Sequence, residues 1–216
     1  MDSPTLVVGQ GSVFGYKNSS LLKQKEIPIL SCEQDIEYRQ GIHLLVAPNG
    51  YGKTTLMRSM AGLLPCLKGN VTINKKILYF SDELSFDPLM TARQLLKCFF
   101  KGEALTFALQ FSEAILLDLK KRIRTLSKGN RQKVMIVVAE TYANFEDEPL
   151  ILMDEPFSGI DRMTRHLIVE QWNKIKNRTT RLVVLHEVDS LKEVDSWTSI
   201  QDGKLTRGQE KPDFLK

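Results

Sequence analysis

Asn49-Gly50-Tyr51-Gly52-Lys53-Thr54-Thr55 decides how this chain folds, because a short aliphatic run, Ile42-His43-Leu44-Leu45-Val46, precedes it and a helical pattern comes after it. The run reads as a buried strand stopped at Ala47-Pro48. From Thr54 onward Leu56, Met57, Met60, Leu63 and Leu64 recur at helical spacing until Gly62 and Pro65 weaken the pattern. Strand, glycine-rich loop and helix in that order make a phosphate cradle, since successive backbone N–H groups and the positive end of the helix dipole converge on the anion. Gly50 and Gly52 let the backbone approach, Lys53 reaches the terminal phosphates, and the Thr54 hydroxyl ligates a magnesium ion. The strict form of such a loop has glycine at position 47, where this chain has Ala47.

A second aliphatic run, Leu150-Ile151-Leu152-Met153, ends on Asp154-Glu155-Pro156. A carboxylate at a strand terminus can hold magnesium, usually through water, and an adjacent carboxylate can orient the water that attacks a γ-phosphate. Alone the pair would read as an acidic helix start; coupled to the loop it becomes a hydrolytic site. Leu182-Val183-Val184-Leu185 is a third such run and ends on His186, while Arg162 to Lys176 has the apolar spacing of a surface helix. Aliphatic strands alternating with helices predict an α/β fold with a parallel sheet covered on both faces.

Val71-Thr72-Ile73 and Ile77-Leu78-Tyr79-Phe80 read as further strands with Asn74-Lys75-Lys76 as the turn between them. Thr91 to Phe111 reads as helix, with Leu95, Leu96, Phe99 and Phe100 as its apolar stripe, and Phe107, Leu109, Ala114 and Leu117 suggest more helix beyond. The apolar decade Lys133 to Tyr142 fits buried strand or buried helix by pattern alone, and its β-branched content favours strand.

The composition suits one globular domain: 216 residues, 42% hydrophobic, with a core large enough to fold without staples. Cys32, Cys66 and Cys98 are odd in number and irregularly spaced, which predicts reduced thiols in a cytosolic protein rather than disulfides or a zinc site. The net charge of +4 is spread along the chain, so charge gives no case for nucleic-acid binding. The N-terminus lacks the pattern of a signal peptide, and no window is apolar enough to span a membrane.

Read together, these elements resemble the ATP-binding cassette family, the ATPase subunits of ABC transporters. Asn49 to Thr55 is similar to that family's phosphate loop, and Leu63-Leu64-Pro65 with Gly69-Asn70-Val71 is similar to the segment just beyond that loop. Leu126-Ser127-Lys128-Gly129-Asn130-Arg131-Gln132-Lys133 resembles the signature, whose usual form is Leu-Ser-Gly-Gly-Gln. Asp154-Glu155-Pro156, Ser158-Gly159-Ile160-Asp161 and His186 match the metal and base site, the D-loop and the switch histidine, and Asp202-Gly203-Lys204-Leu205 resembles a terminal hairpin. The resemblance turns the apolar decade after Lys133 into helix, and it implies a P-loop fold with an N-terminal antiparallel β portion.

It also implies roles. Asn49, Gly50, Tyr51, Gly52, Lys53, Thr54 and Thr55 would bind nucleotide, and Tyr16, with Phe14 as rival, would stack on adenine. Ser127 and Gly129 would press on ATP held by an opposite subunit; physically, a hydroxyl and a backbone N–H at a helix start form an anion site. Glu155 would polarise the attacking water and His186 contact the γ-phosphate, with Mg²⁺ held by Thr54 and Asp154. The family's usual Gln after the strand at 77–80 is absent: Ser81-Asp82-Glu83 stands there, Asp82 aligns best, and a carboxylate can still approach the metal through water. His43 and His166 match no motif and read as structural or surface.

The short interval from Asp82 to Leu126 leaves room for a reduced helical subdomain, about 83–133, set in an ATPase core of about 1–82 and 134–216. That economy, with Lys128 and Asn130 in the signature, resembles haem exporters and exporters of peptides and drugs. Leu84, Phe86, Leu89 and Met90 are candidates for contact with a membrane subunit. The implied protein is an ATP-hydrolysing subunit that forms a head-to-tail homodimer, sits at the cytoplasmic face of a membrane, and drives a separately encoded permease. Its rival is a regulatory or scaffold cassette protein with weak or no hydrolysis, to which Ala47, Asp82 and the altered signature all leave room. A chromosome or DNA-repair ATPase would need a long coiled-coil insertion before Asp154, and a ribosome-associated relative would carry two cassettes.

Overall fold

The computed structural model describes residues 3–20, 23–81, 83–185, 188, 191 and 193–215, with the backbone alone at 19, 20, 23 and 24. The strands are β1 (Leu6–Val8), β2 (Val13–Ser20), β3 (Lys23–Cys32), β4 (Ile36–Tyr38), β5 (Gly41–Val46), β6 (Val71–Ile73), β7 (Ile77–Phe80), β8 (Leu150–Asp154), β9 (Thr180–Val184), β10 (Ser196–Gln201) and β11 (Lys204–Gly208). The helices are α1 (Lys53–Met60), α2 (Ala92–Phe99), α3 (Gly102–Ala114), α4 (Lys128–Phe145) and α5 (Arg162–Ile175).

An eight-stranded sheet runs β2-β3-β11-β10-β5-β9-β8-β7, and its half from β10 to β7 is wholly parallel. β4-β1-β6 forms a separate antiparallel sheet. The parallel strands are aliphatic because both faces are covered. On β5, Ile42, Leu44 and Val46 face the helices α4 and α5, while Leu45 faces α1 and the small sheet. β8 divides the same way, Ile151 and Met153 against Leu150 and Leu152. The sheet thus separates two apolar cores, and the carboxyl ends of β5, β7, β8 and β9 gather along one edge, where open parallel sheets bind ligands.

The segment after Lys133 is helical, as the resemblance implied: α4 is one continuous helix of 18 residues whose interior is almost entirely buried. Two expectations change. The helix read over Thr91 to Phe111 is two helices, since Phe100 and Lys101 are extended and Gly102 has φ +55°. Thr91 starts the first with a reciprocal capping box to Gln94. The strands on either side of Asn74-Lys75-Lys76 are not hairpin partners: β6 pairs with β1 in the small sheet, and β7 lies at the edge of the large one beside β8. Cys32 is buried, Cys66 intermediate and Cys98 exposed, and all three are free. Among the described residues no helix is long and apolar enough to cross a membrane.

Candidate functional site

At the end of β5 the chain turns through Gly50 (φ +84°) and Gly52 (φ +93°) into α1. Both glycines occupy the left-handed region that a side chain disfavours, so the turn requires them. Ala47 does not have positive φ, and its methyl packs against the adjacent core. Its carbonyl accepts a hydrogen bond from Lys53 Nζ at 2.8 Å, with Pro48 O accepting another at 3.1 Å. Glycine is therefore not needed at 47 for the loop to close. Partial burial lowers the pKa of Lys53, against the opposing pull of Asp154 and Glu155.

Thr54 Oγ1 donates to Asp154 Oδ2 at 2.8 Å, reaching from α1 across β9 to the end of β8. A cavity of about 350 Å³ is lined by Tyr16, Ile29, Asn49, Gly50, Gly52, Lys53, Thr54, Thr55, Asp154 and Glu155. Among these are nine of the expected site residues, drawn from β2, the loop, α1 and the end of β8. A neighbouring cavity of about 210 Å³ shares Thr54, Asp154 and Glu155 and adds Ser81 and Glu83. Tyr51, also expected to bind nucleotide, is exposed and lines neither cavity. Tyr16 is 39% exposed and its phenol shares a 3.1 Å hydrogen bond with Thr55 Oγ1, whereas Phe14 is buried in the core. The aromatic at the cavity is thus Tyr16. Asp82 and His186 lie outside the described residues.

Glu155 has φ +55°, an uncommon conformation for a residue with a side chain. Its N–H donates to Val184 O at 3.0 Å, and its carbonyl accepts from Ser158 N–H at 3.2 Å, so the backbone turns sharply just after Asp154. Backbone held off the common wells at a cavity wall is characteristic of working sites.

Ser127 and Gly129 line neither cavity. Ser127 caps α4, accepting from Asn130 N–H at 3.3 Å and from Asn130 Nδ2 at 3.1 Å. A Cβ on Gly129 would stand 2.1 Å from Gly159 O, so the start of α4 lies directly against the turn that comes after Glu155. Lys133 Nζ, 3.6 Å from Asp161, ties the same two segments. His43 and His166 sit where a structural and a surface histidine would: His43 is buried between Ser196 Oγ and Arg39 O, and His166 pairs with Glu170 on the outside of α5.

Residues 35–158, more than half of the chain, match the sequence profile of the ABC transporter family. The chain belongs to that family. Among curated relatives, the manganese transport system ATP-binding protein MntB of Listeria innocua is 32% identical over 165 residues, 66% of this chain and 67% of that protein. The uncharacterized ABC transporter ATP-binding protein YhaQ of Bacillus subtilis is 31% identical over 192 residues, 79% of this chain and 62% of that one. The chain thus spans about two thirds of the length of these relatives. The ATP-binding cassette MJ0796, in a dimeric post-hydrolysis state bound to ADP and Pi, superposes with a TM-score of 0.74 over 96% of this chain and 99% of that one, at 20% identity, a likeness of fold.

As an ATP-binding cassette, the chain has a donor set that suits its substrate: loop N–H groups and an ammonium for phosphates, and a hydroxyl beside a carboxylate for a hard cation. The oxygens of Thr54 and Asp154 already touch, and a magnesium ion needs only one or two protein ligands besides phosphate and water, so the residues fit it. Sequence reading missed Ile29, which reaches the larger cavity only through the folded sheet, and from Ser81-Asp82-Glu83 it singled out Asp82, whereas Ser81 and Glu83 line the smaller cavity. It also missed Gly159 as the partner of Gly129, for which φ +74° at Gly159 leaves no local signature beyond the glycine itself.

Proposed function

We propose that this cassette is the ATP-hydrolysing subunit of an ABC transporter and energises a separate transmembrane subunit by closing head to tail with a second copy around ATP. One observation carries the reading: the loop, Lys53, Thr54, Asp154 and Glu155 converge on one cavity, while the start of α4, with Ser127 and Gly129, lies outside it. A second copy, turned about, would bring that start onto the first copy's γ-phosphate.

In this reading the loop N–H groups and Lys53 bind the phosphates, Tyr16 stacks on the adenine, and Thr54 and Asp154 would hold Mg²⁺, with Asp82 as a further candidate ligand. The ion would neutralise charge on the phosphate oxygens. Glu155 accepts a hydrogen bond from the water that attacks the γ-phosphorus as the bond to the β–γ bridging oxygen breaks, releasing ADP and phosphate. His186 contacts the γ-phosphate. Closure with ATP and opening after hydrolysis are the two states that nucleotide biases.

We assign the permease-facing role to a helical subdomain of about 83–133, set in a core of about 1–82 and 134–216; α4 runs through that boundary unbroken. Leu84 is 40% and Leu89 61% exposed, while Phe86 and Met90 pack against the core, so the first two are the contact residues. Leu84 also lines a groove with Ser85, Phe86, Ile123, Arg131, Val134 and Met135. The complex would sit at the cytoplasmic face of a membrane. The exporter likeness has only Lys128, Asn130 and the short subdomain behind it, whereas the Listeria relative is named for manganese transport.

Affinity capture from solubilised membranes, with ATPase assays run in the presence and absence of the captured partner, tests this. An integral membrane protein that stimulates hydrolysis is the expected result. A soluble partner alone, with no hydrolysis in either sample, would instead support a regulatory cassette.

A further inference from the structure

The core face of β9 carries Arg181 in the midst of an aliphatic strand, and the buried interior of α4 carries Glu140. Both are fully buried. Arg181 donates to both carboxylate oxygens of Glu140, Nη1 to Oε1 at 2.7 Å and Nη2 to Oε2 at 2.9 Å. Trp172 of α5, also fully buried, donates its indole N–H to Glu140 Oε1 at 2.8 Å and lies under the Arg181 guanidinium, 5.2 Å from ring centroid to Cζ. Trp172 in turn stacks on Phe157, the rings 5.2 Å apart and 19° from parallel.

A buried ion pair adds little to stability by itself, because desolvating both charges offsets most of their attraction and an apolar pair of equal volume often does as well. Arg181 Nε moreover finds no acceptor among the described residues, a further cost. Position is the better explanation. Phe157 lies two residues beyond Glu155, whose N–H is bonded to Val184 O on the same strand that carries Arg181. The contacts therefore close a ring: Arg181 to Glu140 and Trp172, Trp172 to Phe157, back along the chain to Glu155, and from its N–H to Val184 and down β9 to Arg181. A residue at φ +55° stays there only when its surroundings over-determine it, at a cost of order 1–3 kcal/mol. The Val184 bond fixes one side of the turn, and the stacked Phe157 fixes the other.

We propose that Arg181, Glu140 and Trp172 are positioning residues that hold the turn at Glu155, and with it the Glu155 carboxylate, in the geometry required for hydrolysis. This rests on the reading of Glu155 as the residue that polarises water, but the hold on the turn can be measured without hydrolysis. Because the same cluster joins α4, α5 and β9, it also keeps the start of α4 in fixed relation to that turn, where Gly129 meets Gly159.

The test compares the full chain with Arg181→Met, Trp172→Phe and the charge-free pair Glu140→Leu/Arg181→Leu, which leaves no unpaired ion if the single variant fails to fold. Amide hydrogen exchange across 154–161 is read against β5 as internal reference, alongside kcat and KM for ATP per folded molecule. Exchange at 155–160 should rise about tenfold or more while β5 stays as it was, and kcat should fall about tenfold with KM within about threefold. Trp172→Phe, which keeps the stack and loses the donor, should fall between. Exchange at 155–160 that is unchanged, or that rises only in step with β5, overturns the proposal. Absence of hydrolysis in the unmodified chain would remove the catalytic role of Glu155 yet leave the exchange result to decide what holds the turn.

Discussion

Thr54 and Asp154 lie 100 positions apart in sequence and share a 2.8 Å hydrogen bond, hydroxyl to carboxylate, at the edge of the sheet where β5 and β8 end. The two oxygens meet because β9 alone separates β5 from β8, and because α1, which carries Thr54 in its first turn, packs against β8. Asp154→Asn keeps the size of the side chain and removes its charge. It should lower affinity for Mg²⁺ in the presence of ATP by about tenfold or more while metal-free nucleotide binding changes little. Titration of Mg²⁺ at saturating nucleotide measures the effect, and an unchanged titration would separate Asp154 from the metal.

Lys53 donates to the carbonyls of Ala47 and Pro48, which under the proposed function it exchanges for phosphate oxygens. Lys53→Ala should weaken ATP binding by about 2–3 kcal/mol, the scale of a charge-assisted hydrogen bond in a partly buried site. Calorimetric titration reads this directly, and normal affinity would count against the cradle.

Tyr16 and Phe14 separate cleanly by burial. Tyr16→Ala should reduce ATP affinity by about 1 kcal/mol or more with little loss of folding stability, and Tyr16→Phe should restore most of it, since stacking needs only the ring. Phe14→Ala should instead destabilise the fold by about 3–5 kcal/mol by opening a cavity in the core. Denaturant melts and nucleotide titrations on the same variants distinguish the two outcomes.

His43 is buried, and burial is the main reason its pKa falls to about 4, helped by Arg207 and opposed by the Arg39 carbonyl and Asp195. Nε2 faces a carbonyl and so carries the proton, leaving Nδ1 to accept from the Ser196 hydroxyl. The unfolded chain takes up a proton near pH 6.5 while the native imidazole stays neutral down to about pH 4. This contribution to stability is therefore complete above about pH 6.5 and is lost as pH falls toward 4, by up to about 3 kcal/mol. Unfolding free energies from pH 7 to 4 should show that slope, and His43→Asn should remove it.

Much of the fold was legible because its signals are local. Ile42 to Val46, Leu150 to Met153 and Leu182 to Leu185 are aliphatic runs ending on a polar residue or a tight loop, and each is a buried parallel strand whose end reaches the site edge. What sequence left hidden depends on distant pairing. Val71-Thr72-Ile73 and Ile77 to Phe80 are neighbours in sequence yet join different sheets, since β1 and β8 supply their partners. The break at Phe100-Lys101 was masked by Phe99 and Phe100, which continue the apolar stripe although Phe100 is extended. Glu140 and Arg181 carried a readable hint, opposite charges inside two apolar segments, but only the packed α4 and β9 make them a pair.

The central claim, that Glu155 acts on water at an ATP site shared by two copies, is tested most directly by Glu155→Gln. Its self-association should be tracked by sedimentation velocity with ATP and Mg²⁺ beside its steady-state hydrolysis. The variant is expected to lose nearly all turnover and to accumulate as an ATP-dependent dimer that reverts to monomer when nucleotide is removed. Hydrolysis equal to that of the unmodified chain, with no dimer at saturating ATP, would contradict it.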